Sequence, residues 1–317
     1  MNALVLSESG LHYRELPTPV CGEGQVRIKL HAAALNHRDQ YIREGKYAKI
    51  VLPAVLGSDG VGTVIEAPSH PSLVGTRVVI DPSFGWGDNP KAQGPAFSIL
   101  GMPTQGTLAE QIVVPAENVY PAPEHLTDEQ AAALPLVGVT GYRALMRQGA
   151  LQSGETVLIT GIGGGVATMM LMFALAAGAR VVVTSRSDEK ITKAVEMGAG
   201  PLDSARGDGV DLVVDSIGGD TVNSLTNILR PGGRIVFYGT TLGNVPELNL
   251  HRIYWKQLQL IGSTMGTAQD FADMVKFVNE KKIVPIVDST FALADAEAAF
   301  DRLHASTQFG KIVVRCS

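Results

Sequence analysis

Apolar and polar positions change rhythm along the chain. In the first third the apolar residues form short strand-like runs: Ala3–Leu6, Gln25–Ala33, Gly62–Glu66, Arg77–Asp81 and Ala109–Val114. Pro17, Pro19, Pro53, Pro68 and Pro71 punctuate them. Residues 82–106 keep no period and read as a long irregular loop. Thr127-Asp128-Glu129-Gln130 then has capping-box spacing and opens a helix of alanines. From there to about residue 264 strands and helices alternate. Strands are expected at Thr156–Thr160, Arg180–Thr184, Asp211–Asp215, Arg234–Tyr238 and Leu258–Gly262, with Pro231-Gly232-Gly233 as a turn. Helical spacing returns at Phe271, Met274, Val275 and Val278 and again at Phe300 and Leu303, and Lys311–Arg315 is a closing strand. The pattern predicts an α/β protein: a doubly wound domain over residues 118–264, inserted into a mostly β domain made of residues 1–117 and 265–317.

The stretch Glu155–Lys190 gives the inserted domain its chemistry. A strand-length run ends at Thr160, and Gly161, Gly163, Gly164 and Gly165 follow at once. A helix-length apolar run, Val166 to Ala177, is closed by Gly178, where a C-cap belongs. Read as Gly161-x-Gly163-x-x-Val166 the spacing lacks its third glycine; read as Gly161-x-x-Gly164-x-x-Ala167 it ends on a residue small enough for helix–strand packing. A purely structural turn is the alternative, but strand, glycine turn and helix in this order form a dinucleotide cradle. The backbone can approach a pyrophosphate there, and the helix N-terminus offers it free N–H groups.

The end of the next strand bears on which dinucleotide. An Asp or Glu there would bond a ribose 2′-hydroxyl, yet the chain reads Thr184-Ser185-Arg186-Ser187 with no acid before Asp188. Ser185 and Arg186, with Lys190 one helical turn on, suit a 2′-phosphate, so NADPH is the expected cofactor. Ser187 also fits as a plain helix N-cap, with Arg186 solvated.

Composition narrows the setting. A net charge of −5 and a pI near 5.8 give no electrostatic case for nucleic acid or anionic membranes. Cys21 and Cys316, near opposite ends, form neither a disulfide framework nor a metal pattern. The N-terminus lacks the basic start and long apolar core of a signal peptide, and the longest apolar run is too short to span a bilayer. The expectation is a soluble cytoplasmic protein acting on a small molecule.

Several segments together resemble the medium-chain dehydrogenase/reductase superfamily, and within it the zinc-lacking, quinone-oxidoreductase-like branch. They are Leu35-Asn36-His37-Arg38-Asp39, Gly45-Lys46-Tyr47, Leu52–Gly62, Val139-Thr140-Gly141-Tyr142, Gly161–Val166, Asp215–Gly219 and Gly310-Lys311-Ile312-Val313, and the likeness spans essentially the whole chain. The resemblance implies a Rossmann doubly wound parallel sheet inserted into a GroES-like catalytic domain, and a homodimer formed through the cofactor domain. It implies cofactor contacts near Thr140, Ser216, Tyr238-Gly239-Thr240 and Ser263-Thr264-Met265; Thr240 and Thr241 fit equally as turn hydroxyls. Trp255 and Lys256 are expected at the domain junction.

Zinc-dependent members carry Cys where this chain has Asn36 and His where it has Ser58, and their third ligand falls near Leu136. An amide, a hydroxyl and a leucine do not make a zinc site. Residues 82–106, where a four-cysteine structural lobe would lie, contain no cysteine. No metal is expected. Without a Lewis acid an isolated ketone is a hard substrate, whereas a quinone or an enone delocalises the charge it receives. Tyr47 aligns with the tyrosine that enoyl-thioester reductases of the superfamily use toward an enolate; lining the pocket wall is the equal alternative. Asn36 is expected near the nicotinamide, or else braces its loop. Arg38 and Asp39 are expected to pair and hold that loop, and His37 to be a bystander. Arg38, Arg43, Lys46 and Lys49 form a modest basic run that would suit a large acyl carrier, or a solvated loop. Three functions follow in order: an NADPH-dependent reductase of quinones or small enones, a reductase of enoyl thioesters, and a non-catalytic NADPH-binding sensor.

Overall fold

Thr156–Ile159 and Val210–Asp215 are buried along their whole length, as short apolar runs are when a parallel sheet is covered on both faces. They are neighbours in a six-stranded sheet ordered Gly200–Pro201, Arg180–Val183, Thr156–Ile159, Val210–Asp215, Leu229–Phe237, Gln259–Gly262, every pair parallel. Numbered along the chain this is the order 3-2-1-4-5-6, which reverses beside the first strand and opens a crevice at the carboxyl ends there. Two hydrogen bonds fix that rim: Thr160 Oγ1 donates to Asp215 Oδ1 at 2.6 Å and the Gly218 N–H to Asp215 Oδ2 at 2.9 Å.

This computed structural model describes residues 1–205, 207 and 209–316. The chain divides into Met1–Leu136 with Thr267–Ser317 as one unit, and Val137–Gly266, which holds the parallel sheet, as the other. The first unit is built on a seven-stranded sheet whose main path runs Val119–Pro121, Arg77–Ile80, Asp59–Glu66, Gln25–Ala34, Lys311–Arg315, Val287–Ala292. Alternation along Gln25–Ala34 sends Val26, Ile28 and Leu30 into a core shared with Ile42, Leu56, Ile80 and Leu100. Helix Ala296–Ala305 lays Ala299, Phe300 and Leu303 on the same core, at the spacing the sequence carries.

Several elements differ from expectation. The first unit boundary falls at Leu136 rather than near 117. Val119–Pro121 pairs antiparallel with Arg77–Ile80, and Asp128 receives both Arg77 Nε at 2.7 Å and His31 Nδ1 at 3.0 Å. These bonds hold residues 118–136 to the β unit. The alanine helix is short: Thr127 caps Asp128–Ala132, and a second helix, Pro135–Tyr142, starts with proline where its missing N–H costs nothing. Pro231-Gly232-Gly233 lies inside Leu229–Phe237 rather than between elements; its register shift opposite Val210 and Leu212 accommodates a residue that cannot donate to the ladder. Within residues 82–106, Ser83–Phe84 pairs with Ser98–Ile99, and Trp86 meets Phe97 edge-on at 5.2 Å. No helix among the described residues is long and apolar enough to cross a membrane.

Candidate active site

The nucleotide-type turn stands at the rim of the parallel sheet. Gly161 and Gly163 have φ of +65° and +119°, which side-chain-bearing residues rarely adopt. A Cβ on Gly163 would also lie 2.5 Å from Lys190 Cδ, so the Lys190 stem runs directly over the turn. Gly164 is the N-cap of helix Gly165–Ala176, and no side chain caps it. The first helical N–H groups, from Gly165 and Val166 on, therefore point to whatever sits in the turn. A Cβ on Gly164 would meet nothing within 4 Å, so that glycine leaves open space rather than relieving a clash. Ala167 is 3% exposed and fills the small-residue position against the sheet.

Ser187 caps helix Asp188–Glu196 through the Lys190 N–H, and its own N–H donates to Ser185 Oγ at 3.2 Å. Arg186 is exposed and makes no hydrogen bond or ion pair with the described residues. Ser216 follows Asp215, and a Cβ on Gly239 would come 3.1 Å from the Ser216 Cβ, so these two strand ends touch. Burial raises the Tyr238 phenol well above its ordinary range; a contact with Ser216 offsets part of the effect and the Asp215 charge adds to it. Thr240 Oγ1 is spent on the Gly243 carbonyl, as a turn hydroxyl. Ser263 Oγ is buried with no hydrogen-bond partner among the described residues, and Thr264 is half-buried beside it. Thr140 Oγ1 reaches Met265 Sδ at 3.7 Å. A turn that glycine keeps open, an uncapped helix and an orphaned hydroxyl fit a dinucleotide.

In the β unit Asn36 bonds Asp59 and Arg38 bonds both Ser58 and Tyr47. Asn36 N-caps helix His37–Arg43, whose third residue, Asp39, returns its carboxylate to the Asn36 N–H at 2.8 Å and to the Gly57 N–H at 3.1 Å. Burial pushes the Asp39 carboxyl up, opposed by the nearby Arg38 charge and by those two N–H bonds. Asp39 braces two loops through backbone amides, so the expected Arg38–Asp39 ion pair does not form. The Asn36 amide is held between charges: Nδ2 donates to Asp59 Oδ2 at 2.9 Å and Oδ1 accepts from Lys311 Nζ at 2.7 Å. Lys311 also gives one bond to Asp59 Oδ2 at 2.8 Å and one to Leu35 O at 2.7 Å. The Leu136 N–H donates to Asp59 Oδ1 at 2.7 Å. A fully hydrogen-bonded Asp59–Lys311 pair thus anchors two of the positions matched to zinc ligands.

The third such position, Ser58, faces Arg38. Arg38 Nη1 donates to Ser58 Oγ at 2.6 Å and to Leu100 O at 2.7 Å, and Ser58 passes its own hydrogen to Leu100 O at 2.8 Å. Arg38 Nε reaches Tyr47 Oη at 3.4 Å, with the guanidinium carbon 5.0 Å from the Tyr47 ring centroid. Among the described residues no group of His, Cys, Asp and Glu is arranged to hold a metal ion, and the one charged group at Ser58 is a cation. These residues do not fit zinc.

Lys311, Asp59 and Arg38 are the partners that sequence reasoning undervalued. The Gly310-Lys311 motif was visible, but its partner lies 252 residues away. The basic run disperses: Arg43 pairs with Asp301 and Glu297, Lys46 with Glu44, and Arg38 is buried, so no shared patch forms. Trp255 is 74% exposed rather than packed, and Lys256 Nζ caps the carbonyls of Asn227 and Leu229 at 2.7 and 2.8 Å. His37 is exposed at the start of its helix.

Residues 22–124 match the alcohol dehydrogenase GroES-like domain, and residues 165–280 the zinc-binding dehydrogenase domain. A zinc-type alcohol dehydrogenase-like protein, YogA of Leptosphaeria maculans, is 35% identical, with 93% of this chain and 92% of that protein covered. Acryloyl-coenzyme A reductase of Sulfurisphaera tokodaii is 30% identical, with 99% and 100% covered. Among solved structures, an NAD-dependent alcohol dehydrogenase superposes with a TM-score of 0.92 at 32% identity, covering 100% of both chains.

Proposed function

The chain belongs to the medium-chain dehydrogenase/reductase superfamily, and from that premise we propose that it is an NADPH-dependent, zinc-independent oxidoreductase whose acceptor is a quinone or a small α,β-unsaturated carbonyl compound. The observation that carries the reading is the set of partners at the three positions matched to metal ligands. Asn36 and Leu136 are bound to a buried Asp59–Lys311 pair, and Ser58 accepts from a guanidinium. A site wired this way has no open coordination position for an alkoxide. It has one cation, Arg38, and the hydroxyls of Ser58 and Tyr47 for an oxygen whose charge is already delocalised.

The turn at Gly161, Gly163, Gly164, Gly165 and Val166 would hold the pyrophosphate. Ser185, Arg186 and Lys190 would meet a 2′-phosphate, and Thr140, Ser216, Tyr238, Gly239, Thr240, Ser263 and Thr264 would border the ribose and nicotinamide. When bound, the reduced nicotinamide supplies a hydride. The chain's own part is orientation and charge. Asn36, fixed by Asp59 and Lys311, braces the loop before Arg38. Tyr47 Oη accepts from Arg38 Nε and has no other partner among the described residues, so its own hydrogen is free to go to a substrate carbon or oxygen. That geometry also favours a second reading, a reductase of enoyl thioesters with Tyr47 as proton donor, in keeping with the similarity to an acryloyl-coenzyme A reductase. The dispersed basic run gives no added support for the acyl carrier.

The test is a panel of acceptors mixed with NADPH, followed by loss of reduced-nicotinamide absorbance. Quinones, enones or enoyl thioesters should be reduced and unconjugated ketones left alone. Comparable turnover of simple ketones or alcohols would contradict the proposal.

A further inference from the structure

Arg38 is a guanidinium only 8% exposed, yet among the described residues no carboxylate oxygen lies within 4.0 Å of its nitrogens. Its partners are neutral: Ser58 Oγ, the carbonyls of Leu100 and Ile99, and the Tyr47 hydroxyl and ring. The nearest acid in sequence, Asp39, spends its oxygens on the amides of Asn36 and Gly57. A buried cation is costly to keep unless an anion or a set of dipoles meets it. The same unit shows the ordinary solution a few residues away, where Lys311 is paired with Asp59 at 2.8 Å. Arg38 hydrogen-bonds only to carbonyls and hydroxyls and meets the Asp39 charge without a bond to it, and of its five N–H groups one on Nη2 has no hydrogen-bond partner among the described residues.

We propose that the Arg38 guanidinium, seated on Ser58 at a position matched to a metal ligand, is the catalytic electrophile of this chain: it holds the oxygen that becomes negative when a conjugated carbonyl is reduced. The inference rests on the reductase reading above. The balance is simple. A hydride that the bound reduced cofactor would supply, leaving it oxidised, would form the new C–H bond at the β-carbon. The C=C electrons shift onto the carbonyl oxygen, and the resulting enolate takes a proton at its α-carbon. Arg38 bears the oxygen's charge in between and Tyr47, beside it, is the proton source. The guanidinium is fixed before reaction by the bonds to Ser58 and Leu100, so little reorganisation is needed as charge develops. Its substrates are accordingly acceptors with an oxygen conjugated to the reducible bond.

The experiment separates this claim from turnover. 4-Nitrophenol, whose phenolate mimics an enolate oxygen and is read by its colour, is titrated against pH with the full-length wild type, with and without NADPH, and with Arg38→Met. Wild type should bind phenolate in preference to phenol, lowering the apparent pKa of the bound probe. Arg38→Met should lose that preference by at least tenfold, about one pH unit, while its NADPH affinity stays unchanged and its kcat for an enone falls about 100-fold. Should Arg38→Met lose its circular dichroism, Arg38→Lys carries the comparison: it keeps the charge but not the fork, and partial retention is expected. No phenolate preference in wild type, or equal preference in a folded Arg38→Met, overturns the proposal. Phenolate binding without reduction of any acceptor sinks the reductase reading and leaves Arg38 as the anion seat.

Discussion

At the residue scale, the buried groups around Asn36 and at the end of strand Arg77–Ile80 set measurable costs. Lys311 and Asp59 are 4% and 0% exposed, and every Nζ hydrogen has a partner. Lys311→Met leaves a buried carboxylate uncompensated and should cost roughly 3–5 kcal/mol in denaturant unfolding. A loss within experimental error would mean the pair is dispensable. Asp81 behaves in the opposite sense. Burial, with the Asp270 charge adding to it, pushes its carboxyl up to about 7, and only the Ser83 N–H opposes the rise. The folded state therefore binds a proton that the unfolded chain, near 3.9, has already released. Stability from this group is full below pH 4 and is lost as pH rises to 7, by roughly 4 kcal/mol at most. Asp81→Asn should flatten that slope in thermal melts between pH 4 and 7, and an unchanged slope would contradict the assignment. Residue types were legible in the sequence; partners were not. Arg38 reads as a loop cation beside an acid, and only the folded chain reveals that Asp39 turns to amides and Arg38 to Ser58.

At the element scale, the glycine turn is the part the sequence carries best, because its spacing and flanking apolar runs are local. Gly163→Ala should weaken NADPH binding at least tenfold in a fluorescence titration, since φ of +119° and the Lys190 stem both oppose a Cβ. Binding equal to wild type would mean the turn does not cradle the nucleotide. Arg186→Ala tests the neighbouring strand end: NADPH affinity should fall tenfold or more with NADH unaffected. Equal affinity for both cofactors, indifferent to the substitution, would assign the site to either dinucleotide. Elements without a local signature were harder to read. The N-terminal stretch alternates like a strand, but it folds as two: Gly10–Glu15, which buries Leu11 and exposes Tyr13 and Arg14, turns back to pair with Asn2–Ser7. Residues 118–136 read as the start of the α/β domain because their helix follows a strand-poor stretch. Their allegiance is set by Asp128 and Leu136, whose partners are distant in sequence.

At the scale of the whole molecule, the alternation of strand and helix made the inserted parallel sheet legible, and family likeness supplied the rest. The edge strand Gln259–Gly262 leaves Leu260 40% exposed, with Leu250, Tyr254 and Trp255 at 66%, 64% and 74% nearby in sequence. An open edge with exposed apolar residues needs a cover, and a second copy of the chain is our proposal. Light scattering should return twice the 33.5 kDa of one chain, and Leu260→Lys should shift it toward one.

The central claim is reduction of a conjugated acceptor without a metal, with Arg38 where zinc would otherwise act. Its most direct measurement is the initial rate of enone reduction by NADPH before and after exhaustive chelation, and again after zinc is restored. The account predicts one rate in all three states. A rate that collapses on chelation and returns with zinc would contradict it.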